Sequence, residues 1–136
     1  MSDPRAGLPD FALFIEDFKH TISSIAILEK GWRVFKFGAV YGGSLDIYTV
    51  PSAKTAYVYY VSYACRNYSS TTTEICSVYF MIEGGYNAFI KEYLAPNAMV
   101  SRVAWGGVVK LIAGDIIRIV ASANAEIICT VHILEF

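Results

Sequence analysis

Nucleophilic catalysis and metal binding draw on cysteine and histidine, and this chain has three of the first and two of the second. Cys129 and His132 are the nearest such pair. Three residues apart in a strand-like run, they point to opposite faces and do not form a local nucleophile–base pair. His20 lies far away near the N-terminus. No CxxC, HExxH or HxH spacing occurs, so zinc has no local support. The paired glycines Gly42-Gly43, Gly84-Gly85 and Gly106-Gly107 lack the GxxxxGK[ST] pattern and read as turns, not phosphate cradles. Asp46, Glu83 and Asp115 are scattered singly, with no reason in the sequence to form a glycosidase-like carboxylate pair. Asp115 follows Gly114 and reads as a turn residue bonding its own backbone. The expectation is a protein that is not an enzyme and carries no cofactor and no metal.

The remaining reactive side chains have quieter uses. Ten tyrosines are present, and Tyr57, Tyr59, Tyr60, Tyr63, Tyr79, Tyr86 and Tyr93 crowd the central third. Such clusters fill cores and subunit interfaces, and they also stack sugars or bases. Trp105, beside Gly106-Gly107, is the loop aromatic best suited to a glycan.

These residues must be positioned by strands. From residue 23 onward, short runs rich in Val, Ile, Tyr and Thr alternate with Gly, Asn, Pro and Ser, about ten residues apart. The pattern predicts an all-β antiparallel β-sandwich or jelly roll over residues 23–136. Predicted strands are Ile25–Leu28, Trp32–Tyr41, Leu45–Val50, Thr55–Cys65, Glu74–Glu83, Ala88–Tyr93, Met99–Ala104, Val108–Ile112, Ile116–Ala121 and Glu126–Leu134. A hairpin folded at Ser70-Thr71 would set Cys65 opposite Cys76, with Tyr57, Tyr59, Val61, Tyr63 and Cys65 on one face. A disulfide is possible in that register. The alternative is buried free thiols, favoured by the odd third cysteine and the absence of a recognisable secretion signal. The opposite face, Ala56, Val58, Tyr60, Ser62 and Ala64, carries no charge and implies a second burial partner. A hairpin of the last two strands would turn Ile117, Ile119, Ala121, Ile127, Cys129, Val131 and Ile133 inward. Residues 1–22 differ. Phe11, Phe14, Ile15, Phe18 and Ile22 follow helical spacing and predict a short helix or arm, with Phe11, Phe14 and Phe18 on its docking face.

Composition bounds the function. The 136 residues are one domain's worth, 55% apolar and only 17% charged, against typical values of about 45–50% and about 25%. Eleven basic and twelve acidic residues give a net charge of −1, which argues against a nucleic-acid partner. The longest uncharged apolar run, Thr55–Cys65, is shorter than the roughly 18 residues of a spanning helix, so no membrane role is expected. A chain so apolar and so weakly charged is expected to hide surface against a partner.

Two stretches, LDIYTVPSAKTAYVYYVSYACRN (Leu45–Asn67) and VVKLIAGDIIRIVASANAEIICTVHILE (Val108–Glu135), together resemble small β-sandwich accessory proteins of tailed bacteriophage virions. Those proteins carry a YTVPxGKTA-like lead into a long strand ending in Asn, and a later LxAGDxIxVxAS segment. The LxxGDxI element is also similar to one in trimeric jelly rolls of the tumour necrosis factor and complement-head type. Ala53 stands where the phage pattern has Gly. The resemblance implies a non-enzymatic virion component: a capsid decoration, head-fibre or tail-associated protein, made in the host cytoplasm. Its partners would be itself, a trimer being favoured, and major capsid or tail proteins. The alternative is a carbohydrate- or receptor-binding module of a tail fibre. The candidate interaction residues are Phe11, Phe14, Phe18, Tyr60 and Trp105.

Overall fold

A computed structural model describes residues 31–104 and 108–136. They form seven strands: β1 (Trp32–Thr49), β2 (Thr55–Asn67), β3 (Glu74–Ile82), β4 (Gly85–Leu94), β5 (Met99–Ala104), β6 (Val109–Ile112) and β7 (Ile116–Glu135). All pair antiparallel in one sheet of order β4-β3-β7-β2-β5, with β1 along the other edge of β7 and β6 beside β2. The protein is an all-β antiparallel sandwich, as the turn spacing predicted. The predicted helix within 1–22 and the strand Ile25–Leu28 lie outside the described residues.

The sandwich is made by bending one sheet. Residues 126–135 of β7 lie between the first part of β1 and β2, whereas residues 116–121 lie between the last part of β1 and β3. Thus β1 and β7 run through both halves of the sheet and bend between them. The bend in β1 falls at Gly42, where the register shifts by a bulge. Gly42 has φ +54°, and a Cβ there would lie 2.8 Å from the Ala123 carbonyl oxygen of β7. Only glycine meets both conditions. Gly38, in the first half, passes so close to Ile47 in the second that a Cβ would collide with the Ile47 side chain. The two halves therefore stack, and their inner faces merge into one core.

Three predicted hairpin pairings are corrected by this geometry. Gly42-Gly43 and Asn124 do not reverse the chain: Trp32–Thr49 and Ile116–Glu135 are each one long strand. The inward set on β7 was read correctly, because Ile117, Ile119, Ala121, Ile127, Cys129, Val131 and Ile133 are all buried. They share one parity along a single strand. Likewise β2 and β3 do not pair; each lies against a different half of β7. A bulge at Val58–Tyr60 also changes the face of β2 midway. Ala56 and Val58 join Val61, Tyr63 and Cys65 in the core, leaving Tyr57 and Tyr59 off the inner face they were assigned. Each large aliphatic so buried contributes about 1.5–3 kcal/mol by leaving water.

The loops are tied by side chains. Asn67, fully buried at the end of β2, donates to the carbonyls of Thr72 (2.7 Å), Leu94 (3.1 Å) and Ala95 (3.1 Å) and accepts from Ser69 N (2.8 Å). Asp115 accepts from Ile112 N (2.9 Å) within its own turn, as expected, and from Glu83 N (3.2 Å) in the β3–β4 turn. It thereby joins two turns at the same end of the sandwich.

Candidate interaction face

The reactive side chains are held apart or shut away. Cys65, Cys76 and Cys129 are free thiols and all buried. Burial pushes the Cys129 thiol up to about 12. Cys76 Sγ donates to the Glu126 carbonyl at 3.7 Å. Cys129 points into the core while His132 lies on the exterior, so the two do not meet. Asp115 meets Glu83 only through the latter's backbone N–H. Asp46 is taken by Arg118. Among the described residues, no three His, Cys, Asp or Glu side chains are grouped to hold a metal.

Paired phenols and carboxylates pin the open margins. Tyr63 of β2 donates to Glu92 Oε1 of β4 at 2.5 Å, and Arg102 Nε reaches the same oxygen at 2.6 Å. Tyr48 donates to Glu135 Oε2 at 2.8 Å. Burial, followed by these carboxylate contacts, raises both phenols above the usual tyrosine range. Such groups stay neutral and serve as donors.

The two exteriors of the sandwich differ in character. Over β3, β4 and the adjoining parts of β1 and β7, charged groups stand among apolar ones such as Tyr79, Met81, Tyr86, Tyr93 and Val120. Arg118 holds Asp46 through Nε–Oδ1 (2.5 Å) and Nη2–Oδ2 (3.2 Å), and its Nη1 bonds the Tyr86 hydroxyl. Lys91 lies over the Tyr93 ring at 5.6 Å. This is an ordinary wet outer face of an antiparallel sheet.

The other exterior spans β1, β7, β2 and β5, and its residues follow from the register. One row across the strands is Phe35, His132, Tyr60. The next is Phe37, Thr130, Ser62, Val103. The third is Ala39, Ile128, Ala64, Ser101. None of these positions carries a carboxylate, ammonium or guanidinium group. Charge returns on both sides of these rows, as Glu126 beside Arg66 at one end and as Arg33 and Lys110 in the row Arg33, Leu134, Tyr57, Lys110 at the other. Phe35 is 61% exposed, Phe37 68% and Val103 54%. A shallow groove crosses the middle rows, lined by Thr130, Ile128, Ser62, Ala64, Ser101 and Val103 together with Tyr63 and Arg102. His132 is packed by the Phe35 ring at 4.6 Å, the Tyr60 ring at 4.5 Å and the Tyr59 ring at 6.0 Å. Rings here meet edge-on or tilted, with interplanar angles of 78° to Phe35 and 32° to Tyr60, and form no flat platform for a sugar.

Of the candidate interaction residues, Tyr60 sits on this face. Phe11, Phe14, Phe18 and Trp105 lie outside the described residues. Phe35, Phe37 and Val103 were missed. The alternation Phe35, Phe37, Ala39, Tyr41 was readable in the sequence. The alternate set is Val34, Lys36, Gly38 and Val40, and the charge on Lys36 pointed to the wrong set as the outward one. Comparison with known proteins found no family model that matches this chain and no curated protein that matches it.

Proposed function

We propose that this chain is a non-enzymatic structural component of a tailed-phage virion, a capsid decoration or head or tail accessory protein that oligomerises and cements or decorates the particle. The observation that carries the assembly reading is the exterior of β1, β7, β2 and β5, where three consecutive rows hold exposed aromatic and aliphatic side chains and no charge, whereas the other exterior carries the Arg118–Asp46 pair and Lys91. A stretch of sheet with large exposed apolar side chains and no charge is stabilised by burial against another protein. The virion setting comes from the resemblance of Leu45–Asn67 and Val108–Glu135 to phage accessory proteins. The partners in this reading are further copies of the chain, three being favoured, and a major capsid or tail protein. The segment bearing Phe11, Phe14 and Phe18 acts as the arm that attaches it to the particle.

Mass spectrometry of gradient-purified virions from cells producing the chain tests this reading. The chain should be present at a fixed ratio to the major capsid protein and resist removal by washing. Its absence from particles, or a ratio that falls with each wash, would sink the proposal.

A further inference from the structure

We infer that Cys65 and Cys76 are a modification site, a redox pair that hydrogen peroxide closes into a disulfide stapling the two halves of the sandwich. The inference stands apart from the assembly reading. It rests on where the two strands are anchored. The end of β2 and the start of β3 are fixed to the same bend of β7. Tyr68 N donates to the Asn124 carbonyl at 2.8 Å, and Ile75 N donates to Ser122 Oγ at 2.8 Å. Cys65 stands opposite Ile127 on one side of this bend, and Cys76 opposite Ala121 on the other. Both side chains are buried in the shared core. Cys76 Sγ reaches across to the carbonyl of Glu126 at 3.7 Å, next along β7 from the register partner of Cys65. Opposed sheets stand about 10 Å apart over most of a sandwich, whereas a disulfide needs Cβ atoms about 3.5–4.5 Å apart. The bend, where the two halves converge, is the place where one bridge can span them.

The third thiol is a poorer partner. Cys129 lies opposite Tyr63 in the β2–β7 register, and so diagonal to Cys65 on the same sheet. Diagonal neighbours are about 7–8 Å apart, beyond the reach of a bridge. Burial also pushes the Cys129 thiol up to about 12, so little thiolate forms there. The neighbouring Cys65 thiol, in contrast, holds the Cys76 thiol below the usual cysteine range, which makes Cys76 the first nucleophile. Its sulfur attacks one peroxide oxygen; an S–O bond forms, the O–O bond breaks, and the leaving hydroxide takes the Cys76 proton away as water. The Cys65 sulfur then attacks the sulfur of the sulfenic acid. An S–S bond forms, the S–O bond breaks, and the leaving hydroxide departs with the Cys65 proton as a second water. Two thiols have lost two electrons and two protons, and the peroxide has been reduced to two waters. Burial makes closure slow, and it shields the closed bridge from thiol reductants in the same way.

The test uses the folded full-length chain, isolated with its thiols reduced. It is held with hydrogen peroxide at neutral pH, then denatured, alkylated with iodoacetamide and digested with trypsin. Cleavage at Lys54, Arg66, Lys91 and Arg118 puts the three cysteines in separate peptides, 55–66, 67–91 and 119–136. Expected is a slow rise of one species, peptide 55–66 joined to peptide 67–91, within a single chain and with Cys129 alkylated. Dithiothreitol in denaturant should separate the two peptides and restore three alkylated cysteines. The oxidised chain should also unfold at a higher urea midpoint than the reduced one, because the bridge restrains the unfolded chain and ties both halves. Three thiols still free after prolonged exposure would overturn the inference. So would a bridge to Cys129, a bridge between two chains, or sulfinic and sulfonic acids at Cys65 and Cys76 in place of the bridge. A midpoint that is unchanged or lowered in the bridged chain would remove the staple.

Discussion

Cys65 and Cys76 face each other across the core from strands that share no backbone hydrogen bond. Cys65 pairs through the backbone with Ile127 on β7, and Cys76 lies against Ala121 of the same strand, on the other side of its bend. The neighbouring Cys76 thiol, with burial, pushes the Cys65 thiol above the usual cysteine range. The folded sheet, not a hairpin, brings the two sulfurs together.

Thiol chemistry should therefore be slow in the native state. Iodoacetamide at neutral pH is expected to leave the folded chain unmodified and to add three groups in denaturant, because all three thiols are buried and Cys129 is pushed up to about 12. The intact mass should be the same with and without reductant. A non-reduced mass lower by two hydrogens would show a disulfide instead.

Asn67 fills a site that only a neutral amide satisfies. Its two N–H bonds are shared among the carbonyls of Thr72, Leu94 and Ala95. Asn67→Ala should cost about 3 kcal/mol, by leaving buried carbonyls unpaired. Asn67→Asp should be worse at neutral pH, since a carboxylate would face three carbonyl oxygens, and should recover as pH falls and the acid protonates. Urea midpoints at unchanged slope measure both. An Asp variant as stable as wild type at neutral pH would contradict this reading of the site.

Glu74 links acid pH to stability. Ser122, Thr72 and Asn124 donate to its carboxylate and hold its pKa below the usual 4.5. Its folded value lies below its unfolded one, so its contribution is complete above about pH 4.5 and fades as pH falls through the lowered value. Melting temperatures of wild type and Glu74→Gln should differ by a constant amount at higher pH and converge in that acid window. Parallel curves down to the acid limit would remove Glu74 as the cause.

Two backbone positions make opposite predictions. Ala53 adopts φ +61° in the turn closed by Lys54 N to Pro51 O at 3.1 Å. Relieving a left-handed alanine, offset by glycine's extra chain entropy, should make Ala53→Gly more stable by about 0.5–1 kcal/mol. Gly42→Ala combines positive φ with a close approach to the Ala123 oxygen and should cost about 3 kcal/mol or more. Denaturant titrations of the two variants check the contrast in sign.

Much of the fold was legible locally because alternation is a property of a single strand. The buried set on β7, the turn read at Gly84-Gly85, which falls one residue earlier at Glu83-Gly84, and the Asp115 turn bond all depend on residues close in sequence. The misread points share a cause. A glycine at positive φ serves a hairpin turn and a bulge equally well, so Gly42 alone does not say whether the chain reverses or merely bends. Nor does a run of strand residues reveal the bulge at Val58–Tyr60, since every residue from Ala56 to Val61 is apolar or aromatic.

The candidate face divides in the same way. That β2 carried a second face without charge was visible from its composition and the period of two. Which residues lay beside it was not, because Phe35, Tyr60, Ser62 and Val103 are neighbours only through the pairing of β1, β7, β2 and β5. By itself the sequence determined that strands would form, which residues β7 would bury, and that too little charge was present to wet every face. Only the tertiary structure decided which strands meet and where the uncovered apolar surface gathers. Strand pairing is set by contacts across the whole chain, and the bend at Gly42 and Ala123 assigns each strand to one half of the sandwich or to both.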